Sequence, residues 1–469
     1  MQSSHAVAAV RAAFDESNLV ADAGVVPLVR LAERIGLPRM VAERLRIDGA
    51  GNSGGANAGA KAMTLVAAMC AGADSIDDVD RLRHGAMDKL FTGVRAPSTL
   101  GTFLRSFTHG HNRQLHRVHR EFLANLTRST PLLPGADQVA FVDIDPTHRR
   151  VYGRTKQGAE IGRFNGVRTL HPILATVSTP LARPVIGAVP LRRGKAADAR
   201  GAGSFTAEAL AVAADAGCTG VRIVRADSQF YNADVVAACR RADARFSLTV
   251  RMNPHVDAAI TTIAEDAWTP IHYPQAFADP DTGELVSDAE VAEIGYTAFT
   301  GRRKAEHVTA RLIVRRVRRL NAEAAAGQGR VVQVLALPPG LHRQPVHHAA
   351  GGAAAPAARG RRAGGAPSGG VIADGKSGPL AHLPSGNFQA NAAWLTLWAI
   401  AFNLLRAAGC LAGTFHARAT TATLRAHLVN VPARIARSAP RLTMRLPTRW
   451  HWRDAFTAFF DAAHAPPTR

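Results

Sequence analysis

The stretch from Gln138 to Met252 constrains the fold more than any other part of the chain. It opens on a buried strand ending in acids, QVAFVDID (138–145), followed by two strand-like runs, LHPILATVST (170–179) and RPVIGAVPLR (183–192). A helix over Ser204–Ala216, a strand GVRIVRAD (220–227), a helix over Asn232–Ala242 and a strand ARFSLTVRM (244–252) come next. Three early strands and then helix–strand alternation predict an α/β fold, a mixed sheet with helices on its faces. Asp145 closes the first strand and Asp227 the fourth, so two carboxylates stand at neighbouring strand ends. Oxygen ligands paired in this way suit Mg²⁺ or Mn²⁺. With two metals, the attacking and leaving oxygens of a phosphodiester are both held in line. An Asp after a strand is also a common turn or helix cap, so residue types alone leave both readings open.

Residues 1–130 read as helical. Val25–Ile35 has apolar residues at helical spacing, and Met63–Ala73 is nearly all apolar, as in a buried helix. In APSTLGTFLRSF (96–107), Ser98 or Thr99 is positioned to cap a short helix bearing Leu100, Phe103, Leu104 and Phe107. After a break at Gly110, a second helix has His111, Leu115, Val118 and Phe122 on one face, with Arg113, Arg117 and Arg120 elsewhere. Two short helices around a glycine, rich in Arg and His, fit a helix-turn-helix as well as a plain bundle with a basic face. In the first case Arg105, Arg113 and Arg117 contact DNA.

Residues 131–252 form the first part of the core, and 253–330 read as a β-rich insertion rather than its continuation. The insertion includes WTPIHYP (268–274), AEIGYTAFT (292–300) and the basic TARLIVRRVRRL (309–320). Alternate strand positions share a face, which groups Arg315 and Arg319 with Arg311 for backbone contact or solvation. Residues 331–370 collapse into Ala, Gly, Pro, Arg and His, and 371–469 return to ordinary globular sequence ending in a basic stretch, Arg434, Arg437, Arg441, Arg445 and Arg449.

Charge narrows the partners. Lys and Arg number 57 against 36 for Asp and Glu, a formal charge of +21, which points to a polyanion, nucleic acid first. Apolar residues at 47% exclude a wholly disordered basic tail. Cys70, Cys218, Cys239 and Cys410 lie far apart with no CxxC pair, which argues against a disulfide scaffold or zinc ribbon and fits a reducing cytoplasm. Met1–Asp15 lacks a basic start followed by an apolar run, so no secretory signal is expected. The best membrane candidate, Trp394–Leu405, falls short of the ~20 residues of a span, and a buried helix is expected.

Four long segments carry a family resemblance: VDIDPTHRRVYGRTKQGAEIGRFNGVRTLHPILATVSTP, RADSQFYNADVVAACRRADARFSLTVRMN, VAEIGYTAFTGRRKAEHVTARLIVRRVRRLN and GPLAHLPSGNFQANAAWL. In this order they resemble a bacterial insertion-sequence DDE transposase, most closely the IS-thirteen-eighty type, over most of residues 1–330 and 371–469. The resemblance implies an RNase H-like core interrupted by a β-rich insertion. It implies three acids that use Mg²⁺ to nick element ends and join the freed 3′-OH to target DNA. The first acid falls on Asp145, with Asp143 the second choice; the family usually has a further Asp where this chain has Pro146. The second acid falls on Asp227, whose Asp-Ser-x-Phe/Tyr-Tyr surroundings survive as Ser228, Phe230 and Tyr231. The implied partners are double-stranded DNA, as terminal inverted repeats and as target, and a second copy of the chain in a synaptic complex. The implied place is the bacterial cytoplasm at the nucleoid.

The third acid does not carry over. In the family it is a Glu on a helix just before GPLAHLPSG, with a Lys seven positions later. That Lys is Lys376, and counting back seven positions gives Gly369. No Glu or Asp occurs from Arg330 to Ala373, and GGAAAPAARGRRAGGAPSGG has too many glycines and prolines to predict a helix. Ala, Gly, Arg and Pro are what GC-rich DNA encodes out of frame, and codons for ALPPGLHRQP (336–345) permit R-Y-H-R-A-F-I-D-N-P one base away. A frameshift opening near 330 and closing near 370 is the expectation, with a defective or weakened enzyme as its result. The alternative is a non-catalytic DNA-binding relic at element ends. If no frame restores the Glu helix, Asp374 and Glu323 are the next candidate ligands. Gly370–Ser377 matches G-x-x-x-x-G-K-[ST], but no buried strand precedes it and Gly378-Pro379 follows, so an NTPase ranks last. His342, His347 and His348 lack metal-ligand spacing. Trp394 and Trp398 read as core, and Trp450 and Trp452 read as packing ahead of base stacking.

Overall fold

In the computed structural model the described residues are 10–48, 53–162, 165–197, 199–271, 277–278, 285–286, 289–317, 331–335, 367–438 and 440–466. Ahead of the main sheet lies a short strand, β1 (Leu19–Val20). The main sheet is built around β2 (Val139–Pro146), whose Ala140, Val142 and Ile144 point into the core. On one side β2 pairs antiparallel with β3 (Arg168–Thr179), Phe141 opposite Ser178 and Asp145 opposite Leu174, and β3 turns back into β4 (Ala182–Ala188). On the other side β2 runs parallel to β5 (Val221–Ala226), and β5 parallel to β6 (Arg245–Val250). Parallel neighbours need crossovers, and helices at Ala202–Asp215 and Ala233–Arg241 supply them. The outcome is the expected α/β arrangement, a mixed sheet with flanking helices.

The sheet does not stop at β6. Strands β7 (Ala289–Ala298), β8 (Val308–Val317) and β9 (Val331–Leu335) extend it, with β9 paired antiparallel to both β6 and β8. The strands at residues 289–298 and 308–317, within the stretch read as an insertion, therefore continue the core sheet instead of standing apart from it. The link is VVQVL, whose position places it at the head of the Gly/Ala/Pro/Arg-rich stretch. Residues 336–366, including His342, His347 and His348, lie outside the described residues, as do Arg319 and Glu323.

Against the sheet packs a helical body. Its helices are α1 (Val25–Ile35), α2 (Leu37–Arg44), α3 (Ala58–Ala71), α4 (Pro97–Arg105), α5 (His109–Ser129), α6 and α7 (the two crossovers), α8 (Pro367–Lys376), α9 (Phe388–Ala412) and α10 (Arg453–His464). Helix α9 is apolar on every side, the signature of a helix buried all round. Its 25 residues exceed the predicted segment and are long and apolar enough to cross a membrane, but 89% of its apolar window is buried inside this protein. Helices α1, α3, α4, α5 and α10 surround it. Asn403, expected only as an interruption of the apolar run, joins α9 to the sheet. Its side-chain amide exchanges two 2.8 Å hydrogen bonds with the backbone of Ile186 on β4 and donates to His119 of α5 at 3.1 Å.

Three local expectations change. The break between α4 and α5 lies at Ser106–Thr108, and Gly110 sits inside the first turn of α5. Thr108 caps α5 in a reciprocal pair with His111, whose ring nitrogen takes the part usually filled by Glu or Gln. Helix α4 begins on Pro97 with Ala96 as an uncapped N-cap, so neither Ser98 nor Thr99 caps it. Helix α8 forms despite its glycines because tertiary packing holds it: Val371 and Ile372 are buried. A Cβ on Gly375 would sit 2.4 Å from the ring of Trp398, so only glycine lets the helix approach.

Candidate active site

The parallel register of β2 and β5 matches Asp143 with Arg225 and Ile144 with Ala226. The next positions, Asp145 and Asp227, therefore stand side by side on one face of the sheet, with strands ~4.8 Å apart. Asp145 is half-buried and Asp227 exposed. Backbone N–H of Gln229 donates to Asp227 Oδ1 at 2.9 Å, which fixes that carboxylate at the strand end. Both carboxylate oxygens of Asp143 are taken by Arg225, at 2.5 and 2.8 Å, and the guanidinium lies 4.0 Å from the Phe141 ring centroid. Asp143, itself buried, is thus committed to an ion pair with the half-buried Arg225. Pro146 leaves the strand end intact: it still pairs with Ile173, and Thr147 N–H bonds Pro172 O at 2.9 Å.

Lys376, the last residue of α8, stands close enough to Asp145 and Arg149 for both to act on its charge. The residue as a whole is exposed, yet the surroundings of its ammonium lower its pKa, by desolvation first and Arg149 second, with Asp145 acting in the opposite sense. Gly369 is exposed, and a Cβ built there meets nothing within 4 Å. Two helical turns separate it from Lys376, so both residues share one face of α8. Asp374 accepts from Thr421 N–H at 3.0 Å and acts on the buried Arg406 and the half-buried Arg425, so its carboxylate is engaged with the C-terminal segment. Among the described residues no group of three or more His, Cys, Asp or Glu comes together as a metal-binding cluster.

Asp145 and Asp227 fit one hard divalent cation, since Mg²⁺ is commonly held by one or two carboxylates with phosphate and water completing its shell. A third protein ligand is not supplied by the described residues. The glycine-lysine motif at 370–377 lies inside and just after α8, not in a loop ahead of a helix, so it is no phosphate loop.

A cleft of about 890 Å³ is lined by Arg149, which also acts on the charge of Lys376. Arg105, Arg149, Arg150, Tyr152 and Lys156 line one part of it, and Asp77 and Asp80 another. Arg149 donates to Ala381 O and Lys156 to Leu383 O, which tie the basic wall to the loop after α8. In the sequence this wall is signalled by the basic run RRVYGRTK, a signal masked by the acids immediately before it. Of the other predicted DNA contacts, Arg113 and Arg117 are exposed on α5, with Arg113 within reach of Glu208, and Arg315 is half-buried on β8. Helix α5 buries Leu115, Val118, His119 and Phe122 against the core, which favours the bundle reading of α4 and α5. Trp450 packs by donating to His427 O, and Trp452 stacks on His427 and Phe415.

A sequence profile described as transposase DDE domain, group 1, matches residues 2–332. Among solved structures, the chain is similar to the cryo-EM structure of a piggyBac transposase synaptic complex with hairpin DNA. That likeness has 9% identity and a TM-score of 0.36 over 96% of this chain and 83% of the other, too low to carry an argument. No curated protein sequence matches.

Proposed function

Because the chain belongs to the DDE transposase family (group 1), we propose that it derives from a bacterial insertion-sequence transposase of the IS-thirteen-eighty type. Its substrate is double-stranded DNA at the element's terminal repeats, and its chemistry is strand cleavage and transfer within a homodimeric synaptic complex. The observation that supports this most is the pair Asp145 and Asp227 at adjacent parallel strand ends, in a sheet ordered β4–β3–β2–β5–β6. We read that order, antiparallel strands on one side of β2 and parallel strands on the other, as RNase H-like.

Asp145 and Asp227 would hold Mg²⁺ or Mn²⁺, which when bound stabilises charge on the attacking and leaving oxygens. The Gln229 N–H keeps the Asp227 carboxylate oriented at the strand end. Lys376 sets positive charge suited to a DNA phosphate beside Asp145, and Arg149 adds to it beside Lys376. Arg105, Arg150 and Lys156 extend that charge along the cleft. Where the family has its third acid this chain has Gly369, so the enzyme is defective. The profile match ends at residue 332, next to the point where the composition changes.

The test is cleavage of the element's own terminal repeats by the intact chain, alongside Mn²⁺ binding followed by electron paramagnetic resonance. The unaltered chain is expected to bind Mn²⁺ weakly and to lose it in Asp227→Asn, while nicking stays at background. Gly369→Glu is expected to raise metal-dependent nicking by at least about tenfold, and Asp227→Ala in that background to abolish it. Robust cleavage by the unaltered chain refutes the defect. Cleavage indifferent to Asp227 refutes the site. The absence of a third acid among the described residues also favours a second reading, a DNA-binding relic that occupies element ends. That reading expects no metal-dependent nick from Gly369→Glu.

A further inference from the structure

The C-terminal segment forms a second charged surface, separate from the carboxylate pair. Strands β10 (Ala433–Ser438) and β11 (Arg441–Arg445) make a two-stranded antiparallel ribbon, and β10 also pairs with β1. The root of the ribbon is fixed: Ala433 and Ile435 are buried, and Ile435 N–H bonds Asn18 O at 2.8 Å. Its outer part is exposed at Arg437, Ser438, Arg441, Leu442 and Thr443.

The register sorts the two faces. Arg434 lies opposite Arg445, Ala436 opposite Thr443, and Ser438 opposite Arg441, so these six share one face, while Ile435 and Met444 lie on the other. One face therefore presents three arginines separated only by small side chains. Arg434 and Arg445 are directly cross-strand, where like charges are destabilising. Glu16 reaches Arg434 at 3.1 Å, but among the described residues no carboxylate pairs with Arg437, Arg441, Arg445 or Arg449. From Gly375 to Arg453 the sequence contains no acidic residue at all. A surface that keeps a like-charge pair and excludes acids over so long a segment is complementary to an anionic polymer. Its width suits a duplex, since a two-stranded ribbon fits the ~12 Å major groove. Arg441 and Arg445, about 14 Å apart along the strand, span some four base-pair steps of ~3.4 Å.

We propose that the β10–β11 ribbon is a duplex-DNA docking surface that grips the phosphate backbone through Arg441 and Arg445, outside the cleavage site. The proposal rests on DNA being the partner, as argued above, but needs neither metal nor catalysis. Its test is the affinity of the full chain for a 30-bp duplex of the element end, measured against salt without divalent metal. Arg441→Gln with Arg445→Gln is expected to lower the slope of log affinity against log salt by about 1.8, two contacts at ~0.9 each. Arg441→Lys with Arg445→Lys keeps the charge and is expected to keep the slope, which separates loss of contact from loss of fold. An unchanged slope in a glutamine pair with a native circular dichroism spectrum overturns the proposal. So does loss of binding to phosphatidylcholine–phosphatidylserine vesicles with duplex binding unaltered. If the glutamine pair loses slope while Gly369→Glu shows no Asp227-dependent nick, the ribbon stands and the catalytic reading falls. If the slope is unchanged while that nick appears, the catalytic reading stands and the ribbon falls.

Discussion

Asn403→Leu tests how the helical body is fastened to the sheet. Strand β4 pairs with β3 on one side only, and its outward edge would otherwise leave the Ile186 N–H and C=O without partners. Asn403 satisfies both from the middle of α9, standing in for a further strand, and residues 186 and 403 are each 0% exposed. Leucine fills nearly the same volume but strands both backbone groups. At ~1–3 kcal/mol for each buried orphan, partly offset by no longer burying the amide, the expected loss is about 3 kcal/mol. With a urea m-value of about 3 kcal/mol/M, the unfolding midpoint falls by about 1 M. Asn403→Asp is the companion variant: it is nearly isosteric, still accepts from Ile186 N–H, and faces Ile186 O without a donor. Equilibrium urea unfolding followed by tryptophan fluorescence measures both. A leucine variant within about 0.5 kcal/mol of the parent would refute the reasoning, because it would show that packing, not the amide clamp, holds the edge.

Acid should loosen the same region. Burial, the largest influence, pushes His119 down to about 3 and His116 down to about 4, with the positive charge of Arg113 adding to the His116 shift. Both rings stay neutral in the folded chain while the unfolded chain takes up protons below about 6.5. Stability is therefore fully present above that pH and is lost as pH falls towards 4, by up to ~1.4 kcal/mol per pH unit for each histidine. Urea midpoints at pH 7, 5.5 and 4.5 read this, and His119→Gln is expected to flatten the dependence; an unchanged slope in that variant removes His119 as a cause. The carboxylates at the strand ends divide by role. Asp143→Ala leaves the Arg225 guanidinium without its partner and is expected to cost about 2 kcal/mol, below the 3–5 of a fully buried pair because the Arg225 side chain is 30% exposed. Asp145→Asn and Asp227→Asn are expected to shift the midpoint little and to act on metal binding; a large loss of stability in either would recast that residue as structural.

The core strands were legible because strong apolar runs bounded by turns leave few alternatives, and QVAFVDID, LHPILATVST and GVRIVRAD all lie where they were expected. What escaped depends on partners distant in sequence. VVQVL is only five residues long and becomes a strand because β6 and β8 offer edges on either side of it. The Thr108 cap carries no Glu or Gln to mark it, because His111 closes the pair. Asn403 looked like a flaw in an apolar helix, and only the adjacent edge of β4 explains it. Asp145 and Asp143 could not be separated by motif, whereas Arg225, on the neighbouring strand, takes both oxygens of one of them.

The same contrast bears on the proposed defect. Gly369 and Gly370 are poor helix formers, yet α8 runs through them because its apolar anchors, Val371 and Ile372, and its contact glycine, Gly375, lie further along. All three anchors fall after residue 370, where the proposed frameshift would close, so on that reading the part of the helix that packs is encoded in frame. Gly369, where the family has its third acid, lies before that point and is exposed. On that reading, loss of the acid leaves the docking of α8 and the position of Lys376 unchanged, and a Cβ at residue 369 meets open space. On the proposed reading α8 still packs without its carboxylate, and Gly369→Glu is the smallest change able to separate a broken catalyst from a protein that never was one.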